Sequence, residues 1–515
     1  MLLDGSNRQV VFSSLYRAYP MSHAMGVACD ALSCGYYNSN TVKVSVIDVT
    51  DMAAMKVTQE YFIPGSYNSS RKVGASVRAV LSDNFNFPDG VKWYPDYKPG
   101  LWENKSALRE AYNAIIAENE KLIRGMTIEQ WISPATAKLN GETKTLPHAC
   151  ESFARVNAPT RLGTVSVATL NLENNSLSRT TIISEPGEIY ASQKNLYVAT
   201  RHWWWWPAIG QSDTTYVHKF DINSPDAALY TASGVLPGYI VDQFSMDEAE
   251  SGHFRVVTTL NTRVPDTANP SNTWGRNETF NRLTVFEQKG GVLEAVGRSE
   301  DLAKGERVMS SRILGNRAFV VTFRQVDPLF TFDLTDPTNP KKMGELKIPG
   351  FSTYMHPIDE NHLLTIGSYV PEALPGQPTS WNEQKLQLAI FDVSDMANPK
   401  QTAVQLVGTA YSWSEAIYDH KAFNYFAAKK LLAIPFSDWN SGYSGDSYWS
   451  SFVSDLRVYS IDPVTGITPK GALSMSDVYK EERWYNWSYY WTPAVRRSVM
   501  ADDYVYAISD AAIRV

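Results

Sequence analysis

A repeated pair of strands is the sequence feature that most constrains the fold. The segments around Asp48, Asp333 and Asp392 each contain an alternating strand, a turn rich in Asp, Asn, Pro or Gly, and a second strand. Weaker copies lie at Asp221 and Asp462. Between the copies, a strand and a short polar turn precede a strongly apolar strand, as in RVMSSRILGNRAFVVTF. Together the two patterns predict a cycle of four strands that recurs about every 45 to 70 residues.

A four-stranded cycle with this period is typical of the blades of a β-propeller. Seven complete cycles run from about residue 56 to residue 515, and a half-cycle formed by VVFSSLY and VKVSVIDV precedes them. Because a single blade cannot bury both of its faces, the blades are expected to stack in a ring. The sequence therefore predicts an all-β fold over residues 1–515: one closed propeller with seven complete blades plus an N-terminal half blade, that is, seven or eight blades. Two β-sandwich domains are the competing interpretation, but sandwiches do not repeat a four-strand cycle in this way.

One helical insert within an early blade is predicted at residues 84–160. Its apolar residues share one face at helical spacing: Leu108, Tyr112, Ile115, Leu122 and Ile123. Gly125 suits the end of this helix, and Thr127 with Gln130 predicts a capping box for a short second helix. An isolated helix of this length is marginal in water, so we expect the apolar face to pack onto the long loops.

The long connections are predicted to emerge at one end of the blades. In an antiparallel blade successive connections alternate between two ends, and the short polar turns fall at the other end. The long connections are residues 17–41, 84–160, 203–214, 265–280, 371–385, 409–414, 437–452 and 476–492. They contain all 15 tryptophans of the chain. Tryptophan is enriched in recognition surfaces, so this end is predicted to bind a ligand; for any single ring, packing within a cap of loops is the competing interpretation.

The candidate ligand-binding residues belong to these connections or flank them. They are His202, Trp203, Trp204, Trp205, Trp206, Trp274, Arg324, Asp327, Trp381, Trp439 and Trp449. In the tryptophan run, strand alternation predicts that two rings anchor the loop and the others are exposed. For Arg324 and Asp327 a local ion pair that organises a turn is the competing interpretation.

Titratable residues give weaker candidates for chemistry. Glu415, Asp419 and His420 form the densest cluster, for which hydrogen bonding that fixes blade geometry is a better interpretation than a metal or acid–base site. Oxygen ligands for Ca²⁺ are conceivable in a Gly/Ser-rich loop, where the weak candidates are Asp438, Asp446 and Asp455. Otherwise no cofactor is predicted. No nucleophile elbow, P-loop or dinucleotide fingerprint occurs, which lowers the odds of catalysis.

Charge and cysteine content exclude several classes of protein. A net charge of −7 argues against nucleic-acid and anionic-membrane partners, and no apolar run approaches the length of a membrane span. The 3 cysteines are too few for a disulfide scaffold. Cys29 and Cys34 are predicted either to form a local disulfide or to be buried thiols, and Cys150 is predicted to be a core thiol.

Two segments of the second half of the chain resemble a known family. VVTFRQVDPLFTFDLTDPTNPKKMGELKIPGFSTYMHP and SEAIYDHKAFNYFAAKKLLAIPFSD resemble secreted, mostly bacterial and archaeal proteins with a C-terminal β-propeller distantly related to WD40 repeats. The resemblance is strong from about residue 307 to residue 438. It implies the fold, export, and a signal or anchor together with an earlier propeller segment ahead of the point where this chain starts. It implies no established reaction.

The function predicted from the sequence is non-catalytic recognition of a glycan or a protein at the cell surface, through the aromatic long-loop end. The predicted location is extracellular or in the cell envelope. The alternative is an exported hydrolase with carboxylates such as Asp213, Glu415, Asp419 or Asp446 in a central funnel.

Overall fold

The computed structural model describes residues 2–3, 7–20, 36–84, 87, 90–202, 208–323, 327–371, 383–439, 452–479 and 494–515. The chain divides into two compact units: unit 1 is Met1–His202 with Tyr216–Gly234, and unit 2 is Trp203–Thr215 with Val235–Val515. Strands make up most of both units, and the predicted all-β class is confirmed. The single closed ring over residues 1–515 stays a prediction.

Unit 1 begins with a complete four-stranded antiparallel meander. Its strands are β1 (Leu2–Leu3), β2 (Arg8–Pro20), β3 (Tyr36–Asp48) and β4 (Lys56–Pro64). The predicted loop at residues 17–41 is shorter than expected, because β2 and β3 stay paired as far as Pro20 and Tyr36.

The second meander of unit 1 carries the predicted insert between its second and third strands. It begins with β5 (Ser66–Val73) and β6 (Ser76–Asp83). The insert contains α1 (Lys105–Gly125), α2 (Ile128–Trp131), β7 (Ala135–Leu139), β8 (Glu142–Leu146) and β9 (Phe153–Arg155). The meander then closes with β10 (Thr164–Asn171) and β11 (Ser176–Ile183). The insert is therefore not only helical: β7 and β8 form a hairpin that extends the first sheet beside β4, and β9 lies parallel to β11.

The helices of the insert begin and end as their sequence signals indicate. Asn104 caps α1 by accepting hydrogen bonds from two backbone N–H groups of its first turn, and the helix ends at Gly125. The predicted capping box of α2 is present, with the Thr127 N–H donating to the Gln130 side chain at 2.8 Å. Of the predicted apolar face, Ile115 is buried and Leu108, Tyr112 and Ile123 are half-buried.

Two positions of the insert differ from the prediction. Leu122, at the end of the predicted apolar face of α1, is exposed. Cys150 is an exposed free thiol in a 3₁₀ turn and not a core residue. Cys29 and Cys34 lie outside the described residues.

The third meander follows directly. It consists of β12 (Glu188–Ala191), β13 (Asn195–His202), β14 (Thr214–Asp221) and β15 (Leu229–Pro237).

Unit 2 contains four further meanders and a shorter last sheet. The first of them consists of β16 (Met246–Glu248), β17 (Phe254–Val264), β18 (Arg276–Lys289) and β19 (Val292–Arg298). The second consists of β20 (Arg307–Leu314), β21 (Arg317–Phe323), β22 (Asp327–Asp333) and β23 (Lys341–Ile348). The third consists of β24 (Phe351–Pro357), β25 (His362–Tyr369), β26 (Lys385–Asp392) and β27 (Lys400–Val407). The fourth consists of β28 (Asn424–Phe426), β29 (Leu431–Trp439), β30 (Phe452–Asp462) and β31 (Gly466–Ser474). After α3 (Ser476–Tyr479), the last sheet has β32 (Val495–Ala501), β33 (Tyr504–Ser509) and β34 (Ile513–Arg514).

Each sheet begins one strand later in the repeat than the sequence predicts. The strand that follows each Asp-rich turn is the last strand of its own meander: β23 pairs with β22, and the chain then crosses to β24 of the next meander. Gly350 makes this crossing with a φ of +87°, and a Cβ there would lie 2.1 Å from the carbonyl oxygen of Ser368, so the position requires glycine. Among the residues that the structure describes, seven complete meanders are present, three starting in unit 1 and four in unit 2, but the shorter sheet is at the carboxyl end.

The repeated aspartate forms the same turn in each copy. The side chain of Asp333 accepts the N–H of Thr335 at 2.9 Å, and Asp392 accepts the N–H of Ser394 at 2.9 Å. The hydrogen bonds to Thr335 also lower the pKa of Asp333. An aspartate that bonds the backbone two residues ahead starts a tight turn, which explains why this residue marks the hairpins.

The hydrophobic core lies between successive sheets. In unit 2, Phe319 and Val321 of β21 pack in one cluster with Leu363 and Phe391 of the following sheet. Because a sheet that lies between two others is covered on both faces, central strands such as β25 are buried along most of their length. No helix among the described residues has the length and apolar character that crossing a membrane requires.

Candidate functional site

Exposed aromatic rings of unit 1 lie in the connection that leads into α1. Trp93 and Trp102 are 47% and 46% exposed. Phe87 packs edge-on against Trp93, with the ring centroids 5.0 Å apart. The neighbouring Lys92 is fixed to α1, because the Asn119 side chain accepts its N–H at 2.9 Å and donates to its carbonyl oxygen at 2.7 Å. The Trp93 ring is therefore held in place with about half of its surface open to a ligand.

Trp274 is the predicted ligand-binding residue that the structure places on an exposed surface. It lies between β17 and β18 and is 61% exposed. Arg263 donates a hydrogen bond to its carbonyl oxygen, and the Asn272 side chain donates to the carbonyl oxygen of Gly275 at 3.0 Å. Gly275 has a φ of +70°, and a Cβ there would lie 2.2 Å from the carbonyl oxygen of Val264. The loop that presents Trp274 therefore has a defined backbone shape.

Two other predicted ligand-binding residues are half-buried, and the backbone position of a third is known. Trp439 is half-buried against Phe452, with the ring centroids 4.9 Å apart. His202 is half-buried against Tyr216, at 5.4 Å. Asp327 is the first residue of β22 and pairs with a β23 residue. The remaining candidates lie outside the described residues, and their roles stay predictions: Trp203, Trp204, Trp205, Trp206, Arg324, Trp381, Asp446 and Trp449.

The described tryptophans share a position in their sheets. In an antiparallel meander the second connection and the link to the next sheet emerge at the same end. The same connections emerge at this end whichever strand is counted as the first of the repeat. Trp93 and Trp274 lie in second connections, and Trp413 lies in the link between β27 and β28.

A second group of side chains lies along the first strands of the unit 2 sheets. We call it the first-strand cluster: Asp242, Arg312, Tyr354, His356 and His420. Arg312 lies on β20, and Tyr354 and His356 lie on β24. Asp242 and His420 belong to 3₁₀ turns that lead into β16 and β28.

Aromatic contacts hold the first-strand cluster together. Phe244 lies at its centre: the Arg312 guanidinium carbon is 4.6 Å from its ring centroid, Tyr354 is at 5.2 Å and His420 at 4.9 Å. The Tyr354 hydroxyl lies 3.3 Å from His356 Nδ1. These contacts bring one cation, two imidazoles and a phenol into one place.

Burial shifts the acid–base behaviour of the first-strand cluster. It raises the pKa of Asp242 to about 6, against the opposing hydrogen bonds that this carboxylate accepts from the N–H groups of Phe244 and Ser245. Burial, helped by the charge of Arg312, lowers the pKa of His356 to about 4. At neutral pH His356 is therefore an uncharged imidazole, while Arg312 carries a full positive charge.

Arginine residues of β32 bind the two predicted carboxylates. Arg497 donates to Glu415 at 2.7 Å and also to Asp419, and Arg496 donates to Glu415 at 3.1 Å. Burial acts to raise the pKa of Glu415, but the hydrogen bonds and charges of the two arginines outweigh it and lower the pKa. We call these four residues the arginine–carboxylate network. The network ties the turns before β28 to β32.

The weak calcium candidates that the structure describes have protein partners. Asp438 accepts hydrogen bonds from the N–H and the hydroxyl of Thr409 at 2.8 and 2.6 Å. Asp455 lies 3.0 Å from the Arg457 guanidinium. Within the described ranges no three His, Cys, Asp or Glu side chains come together as a metal site. Calcium binding stays a prediction.

Sequence reasoning missed Asp242, Arg312 and the two arginines of β32 as members of a site. Asp242, Arg312 and the arginine pair of β32 stand in three different repeats, and no local motif links them. The first-strand position of Arg312 follows only once the frame of the repeat is known. For the arginines of β32, the sequence signal that could have been used was the adjacent pair Arg496 and Arg497 on a strand that begins a sheet.

Comparisons with known proteins agree with the repeat. The family model of the beta propeller domain matches residues 1–515. An uncharacterised protein of Archaeoglobus fulgidus is 34% identical over 223 residues, which are 43% of this chain and 30% of that protein. An uncharacterised protein of Methanocaldococcus jannaschii is 34% identical over 204 residues, 39% of this chain and 28% of that protein. The matched region thus spans less than a third of each relative's length.

Among solved structures, a chain of Kuenenia stuttgartiensis hydrazine synthase is similar at 10% identity with a TM-score of 0.30. The match covers 54% of this chain and 73% of that chain.

Proposed function

Because the chain belongs to the beta propeller domain family, we propose that it is a non-catalytic binding protein that recognises a glycan through exposed aromatic rings of its long connections. The observation that carries the proposal is the exposure of Trp274 on a loop of fixed shape. An exposed ring that is already held in its bound position loses little conformational entropy when a ligand stacks on it.

The surroundings of Trp274 favour a sugar over a protein surface. Asp266 accepts a hydrogen bond from Asn272 at 3.1 Å, and Arg263 donates to Asn277 at 3.1 Å. Polar side chains therefore lie in the connection that presents the ring. A sugar offers an apolar face for the ring and hydroxyl groups for these polar neighbours.

The arginine–carboxylate network makes Glu415 a poor proton donor for glycoside hydrolysis. A glycosidase needs one carboxyl group whose pKa is raised so that it can donate a proton. The pKa of Glu415 is lowered, and Arg497 binds both Glu415 and Asp419. We further propose an extracellular or envelope location, which rests on the resemblance to secreted propeller proteins.

A glycan array tests the proposal with the 515-residue chain, Trp274→Ala, Trp93→Ala and the control Tyr504→Ala. Tyr504 is 59% exposed on β33, away from the long connections. We expect the chain to bind a restricted set of glycans, at least one tryptophan variant to lose about tenfold or more in affinity, and the control to bind normally. Melting temperatures should stay nearly unchanged, since both rings are exposed. Failure to bind any glycan, or wild-type binding by both tryptophan variants, would refute the proposal.

A further inference from the structure

Arg312, on the first strand of its meander, has part of its guanidinium group buried. Its Nη1 atom is buried and has no hydrogen-bond partner among the described residues. Among the described residues Arg312 forms no ion pair; its guanidinium lies over the Phe244 ring and hydrogen-bonds the Tyr354 hydroxyl. A guanidinium that is removed from water without a partner for every N–H costs free energy, unless a ligand supplies the acceptor.

The nearest acid does not neutralise Arg312 directly. Asp242 acts on the same group of side chains, but one of its oxygens is bound by the N–H groups of Phe244 and Ser245. Among the residues that the structure describes, Asp242 and Arg312 form no direct ion pair, although the Arg312 charge acts on Asp242 and opposes the rise in its pKa. The Arg312 charge therefore remains available to a bound anion.

The other cations near this place are already bound. Arg496 and Arg497 use their guanidinium groups on Glu415 and Asp419. Arg312 is thus the one described arginine of the neighbouring first strands whose buried donor has no acceptor.

We propose that the first-strand cluster binds the carboxylate of a small organic acid with an apolar or aromatic body, and that Arg312 Nη1 is its principal donor. The Tyr354 and His420 rings border the site, with centroids 6.1 Å apart; His420 Nε2 lies 3.1 Å from the Gln243 side-chain nitrogen. Phe423 lies 5.1 Å from Tyr354 and provides an apolar wall. The residues of this site differ from those of the proposed glycan site, so the inference does not rest on the proposed glycan binding.

Charge favours a monocarboxylate over a phosphate. The site offers one full positive charge, and Asp242 reduces its effect at neutral pH. Burial and Arg312 keep His356 neutral, with a pKa of about 4. A dianion would therefore meet too little positive charge to offset the loss of its hydration, whereas a monoanion is matched by Arg312 alone.

Calorimetric titration with benzoate tests the proposal on the full chain, with acetate and inorganic phosphate as comparisons. We expect benzoate to bind more tightly than acetate, and phosphate to bind more weakly than benzoate. Arg312→Met should weaken benzoate binding about tenfold to a hundredfold, as expected for a charged hydrogen bond. The matched control is Arg307→Met, because Arg307 is an exposed arginine of the same strand, and it should bind like the unaltered chain.

A crystal soaked with 4-bromobenzoate keeps the proposal testable if Arg312→Met does not fold. An anomalous bromine signal beside Phe244 and Tyr354, with the carboxylate on Arg312, would support it. Absence of that signal at saturating ligand would overturn it, as would tighter binding of phosphate or an equal loss in both arginine variants. Arg312→Lys, which keeps the charge but removes the planar fork, should retain fold and still lose affinity.

Discussion

Replacing His218 by glutamine is expected to remove an acid-dependent loss of stability from unit 1. His218 is fully buried on β14, with Ser184 Oγ 3.2 Å from Nε2 and the Tyr230 hydroxyl 3.3 Å from Nδ1. Burial lowers its pKa to about 4. The folded protein therefore keeps the ring neutral at pH values where an unfolded chain protonates it.

The sign and size of the effect follow from the two pKa values. Between the native value of about 4 and the unfolded value of about 6.5, the unfolded state binds more protons, so the free energy of unfolding falls as pH falls. The contribution of His218 amounts to a loss of about 2 kcal/mol between about pH 7 and pH 5. Below about pH 4 the native ring also takes up a proton, and its contribution stops growing.

Hydrogen exchange of a peptide that covers β14 measures the effect locally, which matters because a chain with two units need not unfold in one step. From pH 7 to pH 5 the opening free energy should fall by about 2 kcal/mol more in the unaltered chain than in His218→Gln. His148, whose pKa burial also lowers to about 4, remains in both proteins and cancels. His253→Gln in unit 2 is the control. Equal losses in the unaltered chain and His218→Gln, or a native His218 pKa near 6.5 by NMR, would refute the reasoning.

Two further changes test the loops and the network. Arg497→Met removes the guanidinium that joins Glu415 and Asp419, so it should destabilise unit 2 by about 1 to 3 kcal/mol. Calorimetry should show a lower midpoint of thermal unfolding, and an unchanged midpoint would contradict this expectation. Gly275→Ala places a Cβ against the Val264 carbonyl, so it should weaken glycan binding as much as loss of the adjacent tryptophan, with a nearly unchanged midpoint; normal binding on the array would count against it.

The hairpins could be predicted from the sequence because their signal is local. Asp333 and Asp392 fix their turns through hydrogen bonds to residues only two positions ahead. The frame of the sheets depends instead on which strands pair across a crossing. The sequence signal for this frame was Gly350, at the end of the repeat. A side chain at this position would collide with the carbonyl oxygen of Ser368 on a later strand.

The candidate sites likewise differ in how far local sequence could predict them. Trp274 could be predicted as exposed because a long connection between strands carries it. The first-strand cluster could not, because Asp242, Arg312 and His420 come from separate repeats and meet only when the sheets stack. The burial that shifts the pKa of Asp242 is likewise a property of packing and not of local sequence.

The strands of the insert have a consequence for solubility. The outer edge of a sheet presents unpaired N–H and C=O groups, to which a strand of another molecule can add. In unit 1, β7 covers β4 and β9 covers β11. In unit 2, the terminal strands β23 and β27 of the described sheets begin with lysine, in KKMGELKI and KQTAVQLV. Charged residues on an edge strand discourage a strand of another molecule from pairing with it. The residues that carry Trp93 thus also shield two sheet edges, so shortening the insert would expose both to intermolecular aggregation.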